Sequence, residues 1–240
     1  MIILKLDSLR SKILIFFGMN LYIVATPIGN LRDISPRALE ILRSVNFVLC
    51  EDTRHTQKLL SFYNISNKLI SYHQHSSQRK INYILDLLSK EYNIALVSDA
   101  GTPGISDPGN KLINLAIEKI DNLKVVPIPG PCALTAALSI SGFPTDKFIF
   151  YGFIPKKKHR RKILEEIANS SLTSAFYESG HRIQKTLNIL LELNLKKKVV
   201  ICRELTKKFE TIYRGTVEDL LPLMKDRALK GEFTVIIENK

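Results

Sequence analysis

The chain has 240 residues, 45% of them hydrophobic, with a mean hydropathy of +0.02 and a formal net charge of +12 (pI near 9.6). This is globular composition, long enough for one large α/β domain or two small ones, and no apolar run approaches the roughly 18 residues of a membrane span. Cys50, Cys132 and Cys202 stand alone without CxxC spacing, so neither a disulfide framework nor a zinc site is indicated, and reduced thiols in a cytoplasmic protein are expected.

The apolar segment Ile13–Phe17 is too short for a secretory signal, Asp7 precedes it, and no small-residue cleavage site follows. Residues 1–19 read as an N-terminal extension ahead of a start at Met19. From there strand and helix signals alternate. Leu21–Ala25 is an apolar strand that runs into the loop Thr26–Asn30. Ser35-Pro36 then opens a helix as cap and first-turn proline, with Ala38, Leu39, Ile41, Leu42 and Val45 at helical spacing. Phe47–Glu51 is the next strand, followed by a helix through Leu59 and Leu60, a short strand near Leu69–Tyr72 and a helix around Ile81–Ser89. Ile94–Val97 predicts a buried strand. Asp107-Pro108 repeats the cap-and-proline device before a helix that carries Leu112, Ile113, Ala116, Ile117 and Ile120 on one side, and Val125–Pro129 closes the set. Continuous apolar strands alternating with helices predict a parallel sheet covered on both faces.

The second half has strand signals at Phe148–Ile154, Ser174–Ser179, Lys198–Leu205, Glu210–Gly215 and Phe233–Glu238. A hairpin across Thr206–Lys208 implies a mixed sheet. Turn residues concentrate at 128–146, so the expected organisation is an N-terminal α/β domain over 20–128 and a C-terminal one over 129–240.

In open α/β sheets ligands bind at loops beyond the carboxyl ends of the strands. Four loops answer that description: Thr26–Asn30, Glu51–Thr56, Ser98–Gly109 and Pro129–Ala133. The third is unusually rich in Asp, Gly, Pro and hydroxyl residues. It is not a phosphate cradle: Gly104–Lys111 misses the G-x-x-x-x-G-K-[ST] pattern because Asn110 displaces the lysine and Leu112 replaces the hydroxyl, and Asp107 would repel a phosphate. Gly101 and Gly104 allow close backbone approach while Asp99 can offset positive charge, which suits S-adenosylmethionine, with its ammonium, sulfonium and ribose diol. Asp107 is read as a helix cap. Net charge favours a nucleic-acid partner, although a Lys-, Ile- and Asn-rich composition also follows from an AT-rich genome. The run Pro155–Lys162 (PKKKHRRK) is either a binding patch or a solvated helix face.

LYIVATPIGNLRDISPRALEIL, CEDTRHTQKLL, LVSDAGTPGISDPG, VVPIPGPCALTAAL, FYESGHRI and RELTKKFETIYRG together resemble the bacterial enzymes that methylate a cytidine ribose 2′-oxygen in small-subunit (16S) ribosomal RNA, members of the tetrapyrrole-methylase superfamily. The resemblance covers about Leu21 to Glu238. It implies a two-domain fold, a parallel N-terminal sheet and a mixed C-terminal one, with the donor in the cleft between them. It also implies a homodimer that acts on ribosomal RNA or the assembled 30S subunit. By motif position the donor contacts would be Ile28, Gly29, Asp99, Ala100, Gly101, Thr102, Cys132, Ala133, Tyr177, Arg203 and Thr234. Members resembling it usually continue into a small basic helical domain beyond the last strand, whereas this sequence ends at Lys240, so RNA binding is expected to fall to the core and its lysine-rich surface.

Methyl transfer to a hydroxyl is mainly a matter of alignment, helped by a proton acceptor. Glu178 and His55 are the candidates. Arg54, Arg182, Lys207, Lys157, Arg160 and Arg161 are the candidate RNA contacts, with ion pairs to Glu51 or Glu178 as the alternative for Arg54 and Arg182. His73 and His75 lack companion ligands, and no metal is expected. Two rival readings are a methylase acting on a small tetrapyrrole ring and a non-catalytic, ribosome-associated RNA-binding protein.

Overall fold

The structure, a computed structural model, describes residues 19–224 and 230–239. Most of the N-terminal extension read from the sequence, residues 1–18, lies outside the described residues.

The first half builds a five-stranded sheet from β1 (Asn20–Val24), β2 (Phe47–Cys50), β3 (Leu69–Ser71), β4 (Ile94–Val97) and β5 (Lys124–Ile128), in the order β3-β2-β4-β1-β5. All its pairings are parallel, as expected. Alternate residues of each strand serve opposite faces. Tyr22, Val24, Val48, Cys50, Ala95 and Val97 meet α1 (Pro36–Ser44) and α2 (Thr53–Phe62). Leu21, Leu49, Ile94 and Leu96 meet α3 (Gln78–Ser89) and α4 (Asn110–Lys119). The strands are apolar throughout because both faces are covered, and each fully buried aliphatic side chain is worth roughly 1.5–3 kcal/mol.

Ser35 caps α1 by accepting from the Ala38 amide, with Pro36 at the first position, as the sequence predicts. The second such device fails. Gly109, at φ +151, precedes α4, and the Asp107 side chain does not cap it. Ile117, expected on the buried side of α4, is 59% exposed, and Leu112, Ala116 and Ile120 do the packing.

The second half forms a sheet of β6 (Phe148–Phe153), β7 (Thr173–Ser179), β8 (Val199–Arg203), β9 (Thr211–Gly215) and β10 (Glu232–Ile237), ordered β6-β7-β10-β8-β9. β6 pairs parallel to β7 and the other pairings are antiparallel, so the sheet is mixed. The hairpin is present, but its connection spans 204–210, longer than predicted, because β8 stops at Arg203.

One face of this sheet packs on α6 (Arg160–Asn169), α7 (Gly180–Glu192) and α8 (Val217–Leu223). The other face receives α5 (Ala133–Ser141), a helix inside the stretch 128–146 where turn residues concentrate. Ile28, from the loop after β1, joins that second cluster beside Cys202 and Leu205. The first sheet's leading loop is thereby plugged into the second sheet's face.

Candidate active site

α1 follows β1 onto one face of the first sheet, while α4 follows β4 onto the other. β1 and β4 are neighbours, so their outgoing chains part and leave a crevice at the carboxyl edge. The loops are tied across it. The Thr26 amide donates to Gly101 O at 2.9 Å, the Gly101 amide returns a bond to Thr26 O at 3.1 Å, and Thr26 Oγ1 donates to Ser98 O at 3.0 Å. Thr102 Oγ1 donates to Pro131 O at 3.0 Å, adding the loop after β5. Gly101 sits at φ +85, which favours glycine. At Gly29 the constraint is space: a Cβ would fall 2.4 Å from Lys207 Cγ and 2.9 Å from Leu205 O, so the two halves meet there backbone to backbone.

Between the halves opens a cleft of about 980 Å³, partly open to solvent. The first half contributes Ile28, Glu51, the stretch 99–102, Ile105 and Asp107; the second contributes Cys132, Ala133, Phe153, Tyr177, Glu178, Cys202, Leu205, Lys207 and 232–234. Its floor is apolar and its first-half wall acidic. Burial, then the carboxylates of Asp107 and Asp99, raises the Glu51 carboxyl to about 7. Burial likewise raises Asp107 to about 6, with Asp99 and Glu232 adding to the effect. Asp99 itself accepts from the Asp52 amide at 3.2 Å. Carboxyls that resist ionising together favour any cation placed among them.

Of the residues the sequence proposes for the donor, Ile28, Asp99, Ala100, Gly101, Thr102, Cys132, Ala133, Tyr177 and Thr234 all line this cleft. The Tyr177 hydroxyl accepts from the Leu134 amide at 3.1 Å, and burial raises its pKa. Gly29 lies in an adjoining depression that shares Ile28, Asp99, Ala100, Lys207 and Glu232 with the cleft, and His55 lines the same depression. Arg203 is a correction: its Nε and Nη2 both donate to Lys230 O at 3.2 Å, and it lines neither depression.

Glu178 is a second correction. Its side chain is fully buried, with Oε1 bound by Arg182 at 2.6 Å and the Ser179 amide at 2.9 Å. Oε2 holds Arg160 at 3.1 Å and the Thr186 hydroxyl at 2.7 Å. Both oxygens are fully engaged, which leaves no lone pair for a substrate proton. Arg160 is 3% exposed, and Arg182 also donates to Ile154 O at 2.8 Å. These two arginines brace β7 against α6 and α7, so they are not RNA contacts. Arg161 is exposed but paired with Glu192 at 2.7 Å and Glu165 at 3.3 Å. Lys207 pairs with Glu204 and Glu232, both at 2.9 Å, and Arg54 with Asp52, not Glu51, at 2.7 Å. The basic run thus splits: Lys156, Lys157, Lys158 and His159 stay exposed while Arg160 turns inward.

Sequence reasoning did not assign Glu51, Asp107 or Phe153 to the site. Glu51 closes a predicted strand and opens a loop that the carboxyl-edge rule selects, although no role was given to it, and Phe153 lies one residue inside the end of the predicted strand Phe148–Ile154. Among the described residues, no helix is long and apolar enough to cross a membrane, and no three His, Cys, Asp or Glu side chains gather as metal ligands.

Residues 20–221 match the family model described as tetrapyrrole (corrin/porphyrin) methylases. The chain is 46% identical to a Halalkalibacterium halodurans protein, with 91% of this chain and 75% of that one covered. It is 49% identical to one from Vibrio cholerae (90% and 76%) and 42% identical to one from Thermotoga maritima (92% and 98%). All three relatives are called ribosomal RNA small subunit methyltransferase I. The Thermotoga protein is matched almost end to end, so relatives of that name do not all extend far beyond the matched region. Among solved structures, the methyltransferase CobJ superposes with a TM-score of 0.66 at 18% identity, covering 92% of this chain and 94% of that one. A cobalt precorrin-4 methyltransferase gives 0.64 at 18%, covering 92% and 95%. Identity at that level speaks for the fold alone.

Proposed function

The chain belongs to the tetrapyrrole methylase family and is a methyltransferase, and we propose that it transfers a methyl group from S-adenosylmethionine to small-subunit ribosomal RNA, at the ribose 2′-oxygen of a cytidine. The working unit proposed is a cytoplasmic homodimer acting on the RNA or the assembled 30S subunit. The observation that carries the reading is the meeting of Glu51, Asp99 and Asp107 at one cleft wall, opposite an apolar floor, in a chain whose net charge is +12. An acidic pocket within a basic protein suits a small cation inside and a polyanion outside.

The donor fits the residues present. Asp99 and its two neighbouring carboxyls would face its positive groups, Ala100 and Gly101 would meet it through backbone, and Ile28, Ala133 and Leu205 would pack its apolar parts. When bound, S-adenosylmethionine supplies a methyl carbon already activated on a positively charged sulfur. The chain's own task is to hold the ribose hydroxyl in line and keep water out, and alignment of that kind is worth roughly 7–11 kcal/mol. His55, exposed in the outer part of the same crevice, takes the hydroxyl proton in this reading. Glu178 has no such role.

The test is tritiated methyl transfer to 30S subunits from a strain lacking the modification, with uroporphyrinogen as competing acceptor. Label in the RNA, at a linkage that has become resistant to alkali because its 2′-oxygen is blocked, supports the proposal. Label on the tetrapyrrole, or on a base, overturns it.

A further inference from the structure

β6 carries a bulge beside the cleft. The register with β7 runs regularly to Phe150↔Ala175, then shifts so that Phe153 faces Tyr177. In an unbroken strand, side chains 150 and 153 would point to opposite faces. The bulge brings both onto the Tyr177 ring, with centroids at 4.9 Å and 5.3 Å. Gly152 makes the turn at φ +62, and a Cβ there would stand 3.1 Å from Ser106 Oγ of the glycine-rich loop, so the bulge also abuts the first half. Bulges next to active sites commonly re-aim one side chain.

The side chain re-aimed here is left 53% exposed at the cleft while its inner edge rests on a fixed tyrosine. Ile105, 41% exposed, also lines the cleft. Immediately beyond Phe153 come Lys156, Lys157 and Lys158, exposed and in no ion pair among the described residues. An exposed ring at the mouth of a pocket, followed by free cations, is the combination that binds unstacked nucleic acid.

We propose that Phe153 is the platform on which the nucleobase of the methylated nucleotide stacks, with Lys156, Lys157 and Lys158 holding the flanking phosphates. This rests on the RNA-methylation reading and deepens it. A nucleotide whose base has left its stack exposes a π-face, and an aromatic side chain at the cleft mouth can take the place of the neighbouring base.

The experiment measures methyl transfer to unmodified 30S subunits by wild type, Phe153→Ala, Phe153→Leu and Phe153→Tyr, with donor affinity by calorimetry and melting temperature on the same samples. Loss of the ring is expected to lower kcat/KM for the subunits by roughly 5- to 150-fold. Phe153→Leu, which keeps apolar bulk without a π-face, should fall with Phe153→Ala, while Phe153→Tyr stays near wild type. Donor affinity and melting temperature should hold throughout. The proposal is overturned if Phe153→Ala and Phe153→Leu methylate subunits as wild type does. It is also overturned if donor affinity falls in parallel, because the ring then serves the donor. A wild type that methylates no RNA sinks the underlying reading as well, whereas normal activity in the variants sinks only the stacking role.

Discussion

Glu51→Gln should make the empty protein more stable and the donor bind less well, with both effects depending on pH. Burial and the carboxylates of Asp107 and Asp99 lift Glu51 from 4.5 to about 7. The unfolded chain releases this proton near 4.5, and the folded one holds it until about 7. Stability that is fully present below the lower value is therefore lost as pH rises through that window. Taken whole, a shift of that size would correspond to about 3.4 kcal/mol, but the carboxyl is only partly buried and solvent screening reduces this to about 1 kcal/mol. A neutral glutamine escapes the loss, so Glu51→Gln should melt about 2–4 °C higher than wild type at pH 8 and equally at pH 4. A cation in the cleft draws Glu51 back toward its ordinary range, so wild-type donor affinity should rise about tenfold from pH 5 to pH 8 and the variant's less. Scanning calorimetry of the apoprotein and titration calorimetry with the donor read the two halves. A melting gain that is the same at both pH values would refute the electrostatic reasoning, and so would donor affinity in Glu51→Gln equal to wild type at pH 8.

Glu178→Ala strands the nearly buried Arg160 without its carboxylate, so a loss of about 3–5 kcal/mol in unfolding free energy is expected by denaturant titration; full stability with abolished turnover would restore Glu178 as the base. His55→Gln should lower kcat by about 10²–10⁴ with unchanged donor affinity in calorimetry, and turnover within twofold of wild type would remove His55 as proton acceptor. Replacing Lys156, Lys157 and Lys158 together by alanine should flatten the dependence of log K for subunit binding on log salt by about 2 units, read by filter binding at several salt concentrations.

Much of the architecture is legible in the sequence because local and global preferences agree there. β1, β2 and β4 are apolar on both faces, Ser35-Pro36 is an unambiguous helix start, and the four loops follow from the edge rule. The failures have two causes. Asp107-Pro108 carries the same local signal as Ser35-Pro36, yet Gly104, Ser106 and Gly109 all take positive φ and turn Asp107 toward the cleft instead of α4. Arg160 looks like one more member of a basic run, and only the placement of Glu178 and Thr186 against α6 shows that it is a core residue. Phe153 is one of several apolar or aromatic residues in a strand, and the bulge that exposes it depends on Gly152 meeting Ser106 from the other half of the chain. The first failure lies in the local backbone conformation and the other two in partners many residues away, and neither periodicity nor capping rules register either.

A molecule with a surplus of twelve positive charges would be expected to greet any ligand with a positive field, and a cationic donor is poorly served by that. The fold resolves the conflict by placement and pairing. Carboxylates collect at the carboxyl edge of the first sheet, where Glu51, Asp99 and Asp107 face inward, while Lys207 at the rim is already neutralised by Glu204 and Glu232. Lys156, Lys157 and Lys158, exposed just beyond Phe153, line neither the cleft nor the adjoining depression. Those exposed lysines can act on a phosphate backbone that passes over them. In the proposed function the donor's positive charge and the polyanion attract one another across the mouth, and by linkage each raises the other's affinity by the same factor. Product inhibition by S-adenosylhomocysteine should be competitive against the donor and weaker than donor binding at pH 8, because the product has lost the sulfonium charge that the ionised carboxyls favour. Equal affinities for the two compounds at pH 8 would mean that the acidic wall does not read that charge.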